Sequence, residues 1–171
     1  MVLKPQDLLV MLKLVALNQQ KWTYHSLAVD LDMSPSEVHA AIKRTGRAYL
    51  SIKIRNKIHV NASCLEEFIV FGLRYVFVPD RGGLTRGMPT GYAASPLKEL
   101  LVASDEPPPV WPDSVGETRG ESFSPFYKSA PMAARKDQIL YELLVLVDAI
   151  RDGRARERNI AISKISRRLK P

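Results

Sequence analysis

The stretch that decides the fold is residues 24–43, YHSLAVDLDMSPSEVHAAIK. Leu27, Leu31, Met33, Val38 and Ala41 are spaced for two short helices crossing over a tight turn, and Ala28 is small enough to let them approach. Asp32 falls in that turn, where the backbone must be left-handed; aspartate adopts that conformation more readily than most residues. Ser34-Pro35-Ser36-Glu37 reads as a helix start, with serine as N-cap, proline in the first helical position and glutamate closing a reciprocal capping box. Thr23 is placed to cap the preceding helix over Tyr24–Leu31.

Working outward, Leu8, Leu9, Leu12, Val15 and Ala16 follow Pro5 at helical spacing and predict a first helix. Downstream, Ile52, Ile54, Ile58 and Val60 alternate with polar residues around Arg55-Asn56-Lys57, which predicts a two-stranded hairpin. From Asn61 a fourth helix carries Leu65, Phe68, Ile69, Leu73 and Val76 on one face, giving the order α-α-α-β-β-α.

On these residues the chain resembles the winged helix-turn-helix of bacterial regulators, broadly the MarR-like class, over residues 4–78. Asp32 stands where that class usually has glycine. The resemblance implies a recognition helix over Pro35–Gly46 for the major groove of double-stranded DNA, with the Ser51–Val60 hairpin as the wing. Charge supports the same reading. Between Glu37 and Glu66 there is no acidic residue, while Lys43, Arg44, Arg47, Lys53, Arg55 and Lys57 are all basic, the one-signed surface that phosphate contacts need. Ser34 and Ser36 are candidate phosphate donors at the helix start. With Val38, Ala41 and Ile42 inward, His39, Lys43, Arg44 and Arg47 are expected to face outward. Arg44 and Arg47 are the candidate base readers, because arginine pairs bidentately with guanine.

The remaining composition fits this class and excludes others. The 171 residues carry 25 Lys+Arg against 18 Asp+Glu, a net +7 that favours a polyanionic partner. Residues 1–78 carry +4, residues 79–130 carry −2 and residues 131–171 carry +5, so the positive charge sits at the two ends. The single cysteine, Cys64, excludes an internal disulfide, and three isolated histidines offer no metal-ligand spacing. No nucleophile–base pair or cofactor fingerprint points to an enzyme, and no cofactor is expected. The longest apolar runs are about half of the roughly 20 residues that a membrane helix needs. The start shows no signal-peptide pattern, so a cytoplasmic protein is expected.

Residues 79–130 hold most of the prolines and glycines and read as an irregular arm packing on its neighbours. Within it, Arg81–Thr90 is expected to be an ordered loop against the first domain, and Val110–Tyr127 two extended strands across a turn. Residues 131–171 read as helical. The stripe Ile139, Leu140, Leu143, Leu144, Leu146, Val147 and Ile150 is too wide for an exposed helix and must pack on the first domain or on a second subunit. Gly153 is expected to end that helix in a left-handed cap, and a basic amphipathic helix comes after it. The expectation is thus a mainly α protein with a small β-hairpin. Its parts are a winged helix-turn-helix (1–78), a Pro/Gly-rich arm (79–130) and a C-terminal helical segment (131–171) for dimerisation or partner binding. Its expected function is transcription regulation by occupying a DNA operator as a homodimer. The rival expectation is an adaptor or antitoxin-like subunit that clamps a partner protein with residues 131–171.

Overall fold

The computed structural model describes residues 1–102 and 104–170. Helix α1 (Pro5–Leu17) begins as Pro5 predicts, with Asp7 reaching back to the Lys4 N–H, and it ends on Asn18 in the left-handed conformation. Helices α2 (Tyr24–Leu31) and α3 (Pro35–Arg47) start at the expected caps, Thr23 and Ser34; Ser34 closes the expected box with Glu37, and Thr23 closes one with Ser26 as well. The turn between them passes through Asp32 at φ +52° and ψ +48°, the left-handed position that the sequence required. Leu27, Ala28, Leu31, Val38 and Ala41 are buried at the crossing.

Strands β1 (Ser51–Ile54) and β2 (Lys57–Val60) pair antiparallel. They turn on Arg55 and Asn56, both at positive φ (+46° and +66°), the two-residue geometry that matches strand twist. Next come α4 (Ala62–Glu67), a wide π-turn over Phe68–Gly72, and α5 (Leu73–Val76), run as one rod. Leu65, Ile69 and Leu73 are buried as expected. Val76 is 53% exposed, because the extra residue in the π-turn rotates the last turn of the rod away from the core.

The arm is more ordered than its composition suggests. The expected loop at Arg81 is a nine-residue strand, β3 (Arg81–Pro89), with a bulge between Arg81 and Leu84. The two expected strands are β4 (Pro109–Pro112) and β5 (Thr118–Phe123). β3 pairs antiparallel with both, and β4 and β5 pair parallel, so the three close into a small barrel. Closure needs glycine at the tightest approaches: a Cβ on Gly87 would run into the Trp111 carbonyl, and one on Gly120 into that of Pro108. The chain is therefore a mixed α/β protein rich in helix, with a hairpin and a three-stranded sheet, rather than helical with one hairpin.

Helices α6 (Ala130–Lys136), α7 (Gln138–Asp152) and α8 (Ala155–Leu169) complete the chain. The apolar stripe of α7 is covered from within the chain from Leu140 on: α1, α5, α6 and α8 all pack on it, and Leu143–Ile150 is buried throughout, but Ile139 at its start is 50% exposed rather than covered. Gly153 ends α7 but with extended backbone (φ −73°), not the left-handed cap expected. A single continuous core joins α1–α3 to α7.

One buried cluster fastens the arm to α7. Asp148 accepts hydrogen bonds on one oxygen from Trp111 Nε1 and Thr90 Oγ1, each at 2.7 Å, and on the other from Arg151 at 2.7 Å. Arg151 also donates to the carbonyls of Phe77 and Ser124 and lies over the rings of Phe123 and Phe126. Burial pushes the Asp148 carboxyl up, and Arg151, Thr90 and Trp111 pull it back.

Candidate nucleic-acid interface

Helix α3 turns Val38, Ala41, Ile42 and Thr45 into the core. Ser34, Ser36, His39, Lys43 and Arg47 are exposed on the remaining face, as are Lys53, Arg55 and Lys57 on the hairpin. Eight of the nine residues picked from the sequence are thus accessible on two adjoining elements. Ile52 and Ile54 of the hairpin are also 40% and 49% exposed, so the hairpin offers apolar as well as charged surface.

Arg44 departs from the expectation. Instead of facing outward, it turns back to α1, where its Nε and Nη2 grip the two oxygens of Asp7 at 2.8 and 2.6 Å. The side chains are 13% and 1% exposed. The contact with Asp7 raises the guanidinium pKa further. The helical wheel placed Arg44 at the edge of the outward face, and a carboxylate 37 positions earlier captured it. Arg47 alone remains as an arginine base reader on α3.

At the start of α3, Ser34 and Ser36 hydroxyls are within 3.0 Å of each other, and Glu37 closes the cap on the Ser34 N–H at 2.8 Å. The Glu37 carboxyl is held below its ordinary value, first by that backbone N–H, then by the Ser34 hydroxyl and by Tyr127. Tyr127 of the arm donates to Glu37 at 3.0 Å; nothing in the sequence alone connected these two residues. His39 lies against Tyr24 with ring centroids 5.3 Å apart, and Tyr24 meets Trp22 edge-on at 5.6 Å.

Comparison of the chain with family models, curated proteins and solved structures finds no match. The case for function therefore rests on geometry and charge.

Elsewhere the surface has the opposite character. A cleft of about 630 Å³ beside β3 is lined by Glu106, Glu121, Asp152 and Glu157 against only Arg81 and Arg154. Arg81 is tied to Glu121 and Asp152 at 2.6 Å each, and Arg154 to Glu106, so neither arginine is free for phosphate. Among the described residues no group of His, Cys, Asp and Glu is arranged to hold a metal ion, and no helix is long and apolar enough to cross a membrane.

Proposed function

We propose that the chain is a sequence-specific, double-stranded DNA-binding transcriptional regulator acting by operator occupancy. One observation carries this reading: exposed serine, histidine, lysine and arginine on α3 adjoin an exposed Lys53/Arg55/Lys57 hairpin tip, with no acidic side chain from residue 38 to residue 65. A rigid helix held by its own cap and flanked by a basic hairpin is suited to groove entry with phosphate contacts on either side. In this reading Arg47 reads bases and Ser34, Ser36, Lys43, Lys53, Arg55 and Lys57 position the duplex. His39 lies at the edge of the contact, and Arg44 holds the helix in place. A homodimer would set two such helices in successive major grooves, with an interface that does not draw on the buried Leu143–Ile150 of α7.

The test is fluorescence anisotropy with DNA from upstream of the chain's own gene and with a scrambled duplex, at two salt concentrations. Preference for the upstream site that persists at the higher salt supports the reading. R47A should relax the preference for the upstream site, and K57A should weaken both duplexes alike and lower the salt slope by about one. Absence of binding at low salt refutes it.

A further inference from the structure

A second cleft, of about 260 Å³, opens between the end of α1, strand β2 and the end of α8. Its walls carry Trp22 and His59, the amides of Asn18 and Gln19, and the cations Arg168 and Lys170. None of the described residues lining it is acidic. Arg168 is engaged by Glu142, and Lys170 is exposed with no ion-pair partner among the described residues. This chemistry, two aromatic faces beside amide donors and a cation, suits a nucleotide: a base to stack, edges to hydrogen-bond and a phosphate to neutralise.

A further feature points to a ligand of extended form. The cleft does not end at Trp22: the ring contacts continue through Tyr24 to His39 on the outward face of α3. An aromatic row thus runs from the cleft to the helix assigned to the duplex, and Tyr24 is 37% exposed along it. Tyr24 and His39 are exposed and Trp22 is half-buried; an unpaired base can lie against such rings at no unstacking cost, whereas a duplex admits a ring only by opening a base step.

We propose that this cleft and the Trp22–Tyr24–His39 row seat an unpaired stretch of nucleic acid continuous with the duplex held by α3, so that the preferred ligand is a duplex with a single-stranded extension. The proposal rests on the DNA-binding reading of α3 and the hairpin. It is tested with the full chain and three fluorescent DNAs sharing one duplex core: blunt, with a short 5′ overhang, and with a short 3′ overhang. One overhang polarity should bind roughly tenfold more tightly than blunt. It should also quench tryptophan emission through Trp22, because the only other tryptophan, Trp111, is fully buried against Asp148. W22A should bring the overhang-to-blunt ratio below about twofold. H59A, on an exposed strand position, gives the same reading should W22A fail to fold. Blunt duplex bound with no gain from either overhang overturns the proposal and leaves the DNA-binding reading standing. No binding to any of the three overturns both. A mononucleotide that quenches Trp22 with the affinity of the tailed duplex assigns the cleft to a free nucleotide and overturns the strand proposal.

Discussion

The Asp148–Arg151 cluster makes a quantitative claim about what fastens the arm. In D148A, Arg151 keeps two carbonyl partners and two aromatic rings but loses its only counter-charge, with a side chain just 3% exposed. Breaking a buried ion pair from one side costs about 3–5 kcal/mol. The same change strands the Trp111 N–H and the Thr90 hydroxyl, at about 1–3 kcal/mol each where water cannot replace the partner. These costs overlap, since one relaxation or one entering water relieves several of them. We expect a net loss of about 5 kcal/mol, a large share of the roughly 5–15 kcal/mol that a domain possesses. With a urea dependence of about 2 kcal/mol/M for a chain of this size, the midpoint should fall by about 2.5 M. Trp111 fluorescence follows the transition directly. The apolar double variant D148L/R151M should recover the share due to the unpaired Arg151 charge, because both charges leave together, but not the share from the stranded Trp111 N–H and Thr90 hydroxyl. A loss below about 1 kcal/mol in D148A, or strictly additive losses in a D148A/R151A cycle, would refute the reasoning.

Two other consequences arise from ion pairs that sequence spacing does not reveal. R44A should destabilise the fold by about 3 kcal/mol in chemical denaturation, because Asp7 would be left buried with only the Lys4 N–H; R47A, whose side chain is exposed, should leave stability within about 0.5 kcal/mol of the parent. Lys13 lies between Asp30 and Asp137, at 3.1 and 2.8 Å. Burial works against its charge, but the two carboxylates prevail and raise its pKa above 10.5. Burial likewise opposes the charged form of Asp137, and Lys13 prevails in holding its pKa below 3.8. The raised lysine contributes stability that is complete below its unfolded pKa and lost as pH rises through the folded one. The depressed aspartate contributes stability that is complete above 3.8 and lost as pH falls through its folded value. Denaturation midpoints should therefore be flat between about pH 5 and pH 9 with respect to this pair, and K13M should lower the plateau and shrink both limbs.

Much of the first 60 residues was legible because its signals are local. The Thr23 and Ser34 caps, the left-handed Asp32 and the Arg55-Asn56 turn are each settled within four residues of chain, and each stands where the sequence placed it. What escaped is non-local. Arg81-Gly82-Gly83-Leu84 has the composition of a loop, and it becomes a strand only because Glu121 and Phe123, some 40 residues on, pair with Leu84 and Arg81. Asp148 and Arg151 look like polar breaks in the α7 stripe; their partners Thr90 and Trp111 come from a different segment of the chain. Arg44 failed for the same reason, since a wheel places a residue on a face but does not name the carboxylate beside it. The width of the α7 stripe did signal that the helix had to be covered, and only the choice between its own chain and a second subunit lay beyond sequence.

The helix pair α2–α3 is not a separate head on a flexible neck. Arg44 ties it to α1, Lys13 joins Asp30 of α2 to Asp137 at the cap of α7, Lys136 donates to the Val29 carbonyl, and Tyr127 holds Glu37. Three of these four ties depend on residues 127–137, the short segment between β5 and α7. That segment is anchored in turn where Arg151 takes the Ser124 carbonyl. Displacing this segment would release all three together and would also unpack Ala130, Ala133 and Ala134 of α6 from the core, while Arg44–Asp7 would remain. At about 1 kcal/mol net for each tie, the orientation of α3 can be biased by about 3 kcal/mol, or around a hundredfold in affinity for whatever that helix holds. Since a ligand shifts an equilibrium only by its differential contacts with the two states, these polar ties alone could supply no more than that, and a larger response would require the core between α1 and α7 to open as well.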